Sequence, residues 1–278
     1  MISNVNKTVT DITKYVVSSL NENNMDINEF SVQKIIYQIK MDLNNKRSLY
    51  NQLPYYWYYY GPYSELVHDS FNNINFNENI NHDEITLKYP EIINLVQDLL
   101  DKGNYVYHDL GRDIYKKYAP FDVLYPFKYK IFNVTQYDAF SCDGDEFVNA
   151  FRYCQPRFSL NHFHHDFSCV FSKLAMRIDM LNDNNLIEDC WDILRLPIRN
   201  LWFTFAESLR VKIHDEYYDN QSEKWNNIFL NSLKQSNQEI DNMINKTNPL
   251  IDFSIYGEYD DFDKNLLNST LGSYLGDD

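Results

Sequence analysis

The ten residues "YYWYYYGPYS", Tyr55 to Ser64, place six consecutive aromatics ahead of a Gly-Pro pair. Aromatic side chains favour extended chain, so residues 55–60 read as a strand. Gly61 then reads as a helix N-cap and Pro62 as the first helical residue, where a missing N–H costs nothing. Tyr63, Leu66, Val67 and Phe71 line one face of the helix that follows; Ser64, Glu65, His68, Asp69 and Asn72 line the other. Side chains alternate along a strand. Tyr55, Trp57 and Tyr59 therefore share one face, and Tyr56, Tyr58 and Tyr60 the opposite one. One face must pack on the preceding helices. The other is either core to a later part of the chain or exposed. Tyr and Trp are enriched in contact surfaces; an exposed second face would be one, and the candidate partner-binding residues are Tyr56, Trp57, Tyr58, Tyr60, Tyr63, Ser64 and His68. Gly61 and Pro62 serve as a structural turn.

Upstream, Val9, Ile12, Val16 and Leu20 recur at helical spacing, and Val32, Ile35, Ile36, Ile39 and Leu43 form a second stripe capped by Asn28 or Ser31. Downstream, residues 72–89 ("NNINFNENINHDEITLKY") read as a turn-rich hairpin or wing, with "EITLKY" as its better strand. Pro90 to Leu100 is amphipathic, with Gly103 as its C-cap. Residues 104–140 alternate in "NYVYHDLG" and "FKYKIFNV" and read as short β elements and loops. Asp143 and Asp145 in "SCDGDEF" read as a turn and helix start. From residue 144 helical stripes return: Phe163 to Leu181, Leu186 to Leu209 with a kink or split at Pro197, and Trp225 to Ile244. Three successive helices with short polar joints predict an antiparallel bundle.

The fold class is mainly α with small β elements (α+β). A winged-helix-like domain (1–105) leads through a Tyr/Phe-rich β/loop connector (106–143) into a helical domain (144–248) and an acidic, weakly ordered tail (249–278).

The chain has 278 residues, 44% hydrophobic and 16% aromatic, ample for a core. Its apolar runs are too short to cross a bilayer, and its first residues lack the basic and apolar blocks of a secretory leader. Cys142, Cys154, Cys169 and Cys190 form no CxxC pair and read as reduced, mostly buried thiols of a cytoplasmic protein. The net charge of −15 is uneven: residues 1–66 are neutral, 67–135 carry −3 and 136–278 carry −12. Phosphate backbones repel such a chain.

Two segments together resemble a known family. Lys34-Ile35-Ile36-Tyr37 on the second helix, followed by an aromatic strand ending in Tyr60-Gly61-Pro62, is similar to winged-helix-like domains of the YwgA and Panacea-antitoxin type. The resemblance covers roughly residues 5–105. It implies a domain that works by contact with a partner protein, in a regulatory, antitoxin-like or defence setting, and not by turnover. It says nothing of residues 140–278.

Other chemistries are weaker. Duplex recognition by the helix after Pro62 would present two carboxylates and no Lys or Arg to phosphate. Lys34, Lys40, Lys46 and Arg47 form the best local basic group, with a solvated helix face as the plainer reading. In "NHFHHDF", His162, His165 and Asp166 share a helical face that can hold a metal, and the His165-Asp166 doublet resembles HD-type metal-dependent phosphohydrolases. That chemistry needs a further His and a distant Asp, which the sequence does not place. There is no GxSxG, Walker loop or GxGxxG. The expectation is a non-enzymatic, cofactor-free protein that binds another macromolecule, most simply a protein. A DNA-binding regulator and a metal-dependent phosphohydrolase are the alternatives. A homodimer is compatible with the sequence.

Overall fold

The computed structural model describes residues 2–43, 47–75, 82–101, 107–160 and 164–256. The fold is mainly helical with one two-stranded antiparallel sheet among the described residues. The chain divides into two compact units, Met1–Tyr125 with Trp202–Ser232, and Pro126–Leu201 with Leu233–Asp278. This division differs from the expected domains. Residues 202–232, read as part of the C-terminal helical domain, belong with the N-terminal unit.

In the first unit, α1 (Ile2–Glu22) buries Val9, Ile12, Val16 and Leu20, and α2 (Glu29–Asp42) buries Val32, Ile35, Ile36 and Ile39. Both stripes match the sequence periodicity. Asn28 caps α2 by accepting the Ser31 backbone N–H at 2.9 Å. A short turn, α3 (Arg47–Tyr50), leads to the hairpin of β1 (Tyr56–Tyr58) and β2 (Gly61–Tyr63). Helices α4 (Glu65–Asn72), α5 (His82–Lys88), α6 (Pro90–Asp101) and α7 (Tyr107–Tyr118) follow.

Gly61-Pro62 does not start a helix. The pair lies in β2, where Gly61 faces Tyr58 and Pro62 faces Trp57. Tyr59 and Tyr60 form the turn, and Gly61 at φ +93° supplies the left-handed residue that reverses the chain. Pro62 is tolerated because β2 is an edge strand. The helix starts at Glu65, with Ser64 as its N-cap. A Cβ at Gly61 would also meet the Tyr115 ring at 3.1 Å. Gly61→Ala is therefore expected to cost about 1–3 kcal/mol, measured as a lower urea midpoint at unchanged slope.

The expected wing is absent from the described residues. "EITLKY" lies in and just after α5, and residues 76–81 lie outside the described ones. Ile85 and Tyr89, four apart, are both buried; the Tyr89 hydroxyl reaches Thr8, and Lys88 pairs with Asp11 at 3.0 Å. Packing on α1 at helical spacing overrides the β preference of Ile and Thr. The connector is helical as well. In α7, Leu110, Ile114 and Tyr115 turn inward. A helical turn, α8 (Leu124–Pro126), continues into π-helix over Phe127–Phe132 and a 3-10 turn over Asn133–Gln136. Phe127 and Ile131 point inward one turn apart, and Lys128 lies over the Phe132 ring at 3.9 Å.

In the second unit, Asp143 Oδ1 accepts the backbone N–H groups of Asp145 and Glu146, so the expected turn and helix start caps α9 (Gly144–Leu160). Helix α10 (His165–Asp183) returns beside it: Phe158 meets Phe167 near the joint, and Arg152 pairs with Asp179 near the far end at 2.8 Å. These two helices are antiparallel, as expected of a bundle. Helix α11 (Trp191–Lys212) runs through Pro197 without splitting, which leaves the kink of the two expected alternatives; Trp191 to Leu201 belong to the second unit and Trp202 onward to the first. After a 3-10 turn (Glu216–Gln221), α12 (Ser222–Tyr256) extends through the first eight residues of the expected acidic tail; the rest of that tail lies outside the described residues. Within the second unit Lys173 reaches Asn237 and Asp241, and Arg177 reaches the carbonyl of Ile244. Among the described residues no helix is long and apolar enough to cross a membrane. All four cysteines are free; Cys154 and Cys190 are buried, Cys142 is half-buried and Cys169 exposed.

Candidate functional site

The aromatic stretch is anchored from both sides within the first unit. Tyr55 and Trp57 face α2 and α7. The Tyr55 ring lies 5.2 Å from that of Tyr37, and Trp57 lies 6.1 Å from Tyr37 and 5.3 Å from Tyr115. The Trp57 indole N–H donates to the Tyr37 hydroxyl at 3.2 Å. One face is expected to pack on the preceding helices, without a choice between the two; Tyr55 and Trp57 lie on the one that meets α2, and the later helix α7 joins it there. The opposite face is not left open. Tyr56 packs against Tyr218 and Trp225, with ring centroids 5.0 and 4.8 Å away. The segment after α11 also runs beside β1: the Trp57 N–H donates to the Ile213 carbonyl, and the Asp215 N–H to the Tyr55 carbonyl. Tyr56 and Trp57 are 4% and 2% exposed. Both are core, so neither offers the partner contact expected of it. Ser64 is buried too, its backbone clasped by the Gln33 amide at 2.9 and 3.0 Å.

Beyond Trp57 the alternation breaks. Tyr58 and Tyr59 stack on each other at 3.8 Å, and both hydroxyls donate to Glu207 Oε1, at 2.9 and 2.6 Å. Glu207 pairs with Arg210, whose guanidinium lies over the Tyr58 ring at 4.7 Å. Turn formation between Tyr58 and Gly61 brings both tyrosines to one carboxylate, which a regular strand cannot do.

What remains outside is a smaller face. Tyr60 at the turn is 56% exposed, and Tyr58, Tyr63 and His68 are half-buried. The Tyr63 and His68 rings lie 6.1 Å apart. His68 Nδ1 meets Glu29 Oε1 at 2.8 Å, bringing the first residue of α2 beside α4. The Tyr56 hydroxyl donates to Glu65 Oε1 at 3.3 Å. Burial, then the nearby charges of Glu29, Glu65 and Asp69, push the Tyr63 hydroxyl up to about 12. Sequence reading named the tyrosines and His68 but missed Glu29. It lies over thirty residues upstream of Tyr63, and no local pattern links the two. Glu207, Tyr218 and Trp225 were missed for the same reason.

Two of the four residues of the expected basic group are buried. Lys34 and Lys40 are each 2% exposed. Lys34 Nζ donates to the Pro62 carbonyl at 2.7 Å, so the two segments that carry the family resemblance touch. Lys40 Nζ donates to the Leu53 carbonyl and pairs with Asp215 at 2.9 Å. A long aliphatic stem lets each lysine cross the core while its ammonium meets oxygen acceptors. Lys46 lies outside the described residues, as does the side chain of Arg47 at the start of α3.

Burial pushes the Lys34 ammonium down to about 7, partly offset by Glu29. Below that value both folded and unfolded chains hold the proton, and the burial penalty is present in full. As pH rises above it, the unfolded chain holds more protons than the folded one, so stability rises. Lys40 shifts in the same direction. The comparison with Lys34→Met isolates Lys34: from pH 7 to 9 wild-type stability is expected to gain on that of the variant. Parallel pH profiles in urea titrations would refute this.

His165 and Asp166, the metal candidates, open α10 as exposed residues, and His162 lies outside the described ones. Among the described residues no group of three His, Cys, Asp or Glu side chains is arranged to hold a metal ion. Comparison with family models, curated proteins and solved structures finds no match to the chain.

Proposed function

We propose that the protein binds another protein, non-enzymatically, through the face formed by the hairpin turn and α4. The observation that carries this reading is Tyr60, a largely exposed ring at the turn of a hairpin whose Tyr56 and Trp57 are core. A rigid scaffold presenting an exposed aromatic loses little entropy on contact, and such rings dominate interface energetics. The contact between Lys34 and Pro62 joins the two segments that resemble YwgA and Panacea-type domains. An antitoxin-like or regulatory setting is what that resemblance implies. Burial of Lys34 and Lys40 removes two of the four basic residues available for duplex binding, so the DNA reading loses ground.

The test is a pull-down from native extract with mass spectrometry, using wild type and a Tyr60→Ser/His68→Ala variant. Both side chains reach solvent, so the variant's melting temperature should stay within about 2 °C of wild type. Its capture of the specific partner should fall at least about fivefold. Equal capture, or sub-micromolar sequence-dependent duplex binding at physiological salt, would refute the reading.

A further inference from the structure

On the protein-contact reading above, we infer that the hairpin–α4 face docks a lysine- or arginine-rich segment of the partner protein. The face combines aromatic rings with a one-sided charge. Tyr60 and Tyr63 offer ring surface at the turn and in β2; His68, 6.1 Å from the Tyr63 ring, meets Glu29 at 2.8 Å, Glu65 accepts the Tyr56 hydroxyl at 3.3 Å, and Asp69 is exposed next to His68 on α4. A cation over a tyrosine ring is attracted by the negative ring face, and a carboxylate beside it takes the same guanidinium or ammonium by hydrogen bond. Nearby cations are already engaged. Lys34 is buried against the Pro62 carbonyl, and Arg210 is buried against Glu207. Helix α4 carries no Lys or Arg, and His68 contacts only one of the three carboxylates, Glu29. Among the described residues no Lys or Arg pairs with Glu65 or Asp69. The chain as a whole carries −15, so its long-range field attracts the same class of partner. Arginine fits best, because its planar fork can stack on a ring and pair a carboxylate together.

Fluorescently labelled nona-arginine peptide serves as the probe, in an anisotropy titration at physiological salt. Wild type is compared with Glu65→Gln/Asp69→Asn, with Tyr60→Ser, and with Glu188→Gln/Asp189→Asn. The last removes the same charge from exposed residues of the second unit. The expected result is about tenfold weaker binding for the first variant, about threefold for the second, and less than about twofold for the control. Equal weakening by the control would show general attraction to an acidic chain and overturn the inference. So would failure of wild type to bind the peptide below about 100 μM. The pull-down separates the two readings. If the specific partner is lost on Tyr60→Ser/His68→Ala but retained by Glu65→Gln/Asp69→Asn, the protein contact stands and the cationic segment falls. If capture ignores the tyrosine as well, both fall.

Discussion

Trp57→Ala is expected to lower the unfolding free energy by about 3–5 kcal/mol, a large fraction of the stability of a single domain. The indole is almost wholly buried between Tyr37 and Tyr115. Its removal leaves a cavity between α2, α7 and the hairpin and strips the Tyr37 hydroxyl of a donor. Trp57→Phe keeps most of the ring packing but not the N–H, and should cost markedly less. Tyr60→Ala, three residues along, should fall within about 0.5 kcal/mol of wild type. The measurement is urea denaturation followed by far-UV circular dichroism. Equal losses at 57 and 60 would mean that the ring placement described here is wrong.

Glu207→Ala should be comparably severe, for an electrostatic reason. The carboxylate is 3% exposed, accepts the Tyr58 and Tyr59 hydroxyls and pairs with Arg210. Without it, a buried guanidinium faces the Tyr58 and Trp225 rings with no counter-charge. Breaking a buried pair from one side costs about 3–5 kcal/mol, whereas replacing both partners by apolar groups of similar size is often near neutral. Glu207→Leu/Arg210→Met should therefore recover much of the loss. A double variant less stable than Glu207→Ala would show that the two tyrosine hydroxyls, and not the ion pair, set the cost. Because both tyrosines lie at the turn beside Tyr60, Glu207→Ala should also loosen the presentation of Tyr60 and, on the proposed protein-contact reading, weaken partner capture in the fraction that stays folded.

The stripes Val9–Leu20 and Val32–Ile39, the Asn28 cap, the Asp143 helix start and the helical runs after residue 144 were legible in the sequence. Each is a local pattern whose period of 3.6 residues, or whose capping side chain, acts within one element. The mainly α fold class follows from these. Segments rich in β-forming residues were misread, among them the aromatic stretch past residue 58, "EITLKY" and "FKYKIF". In each, a partner distant in sequence decides the conformation. The Tyr115 ring packs against Gly61 at the hairpin, 3.1 Å from where a Cβ would lie, α1 takes Ile85 and Tyr89 one turn apart, and Phe158 and Phe171 take Phe127. Residues able to form either structure adopt whichever buries more apolar surface against such partners. The candidate site divides the same way. The sequence named Tyr60, Tyr63 and His68 from local composition. Only the tertiary structure withdrew Tyr56, Trp57, Ser64, Lys34 and Lys40 into the interior and brought Glu29 to His68 beside Tyr63, because burial and charge neighbourhood depend on segments far apart in the chain, as Lys40 and Asp215 are at 175 residues.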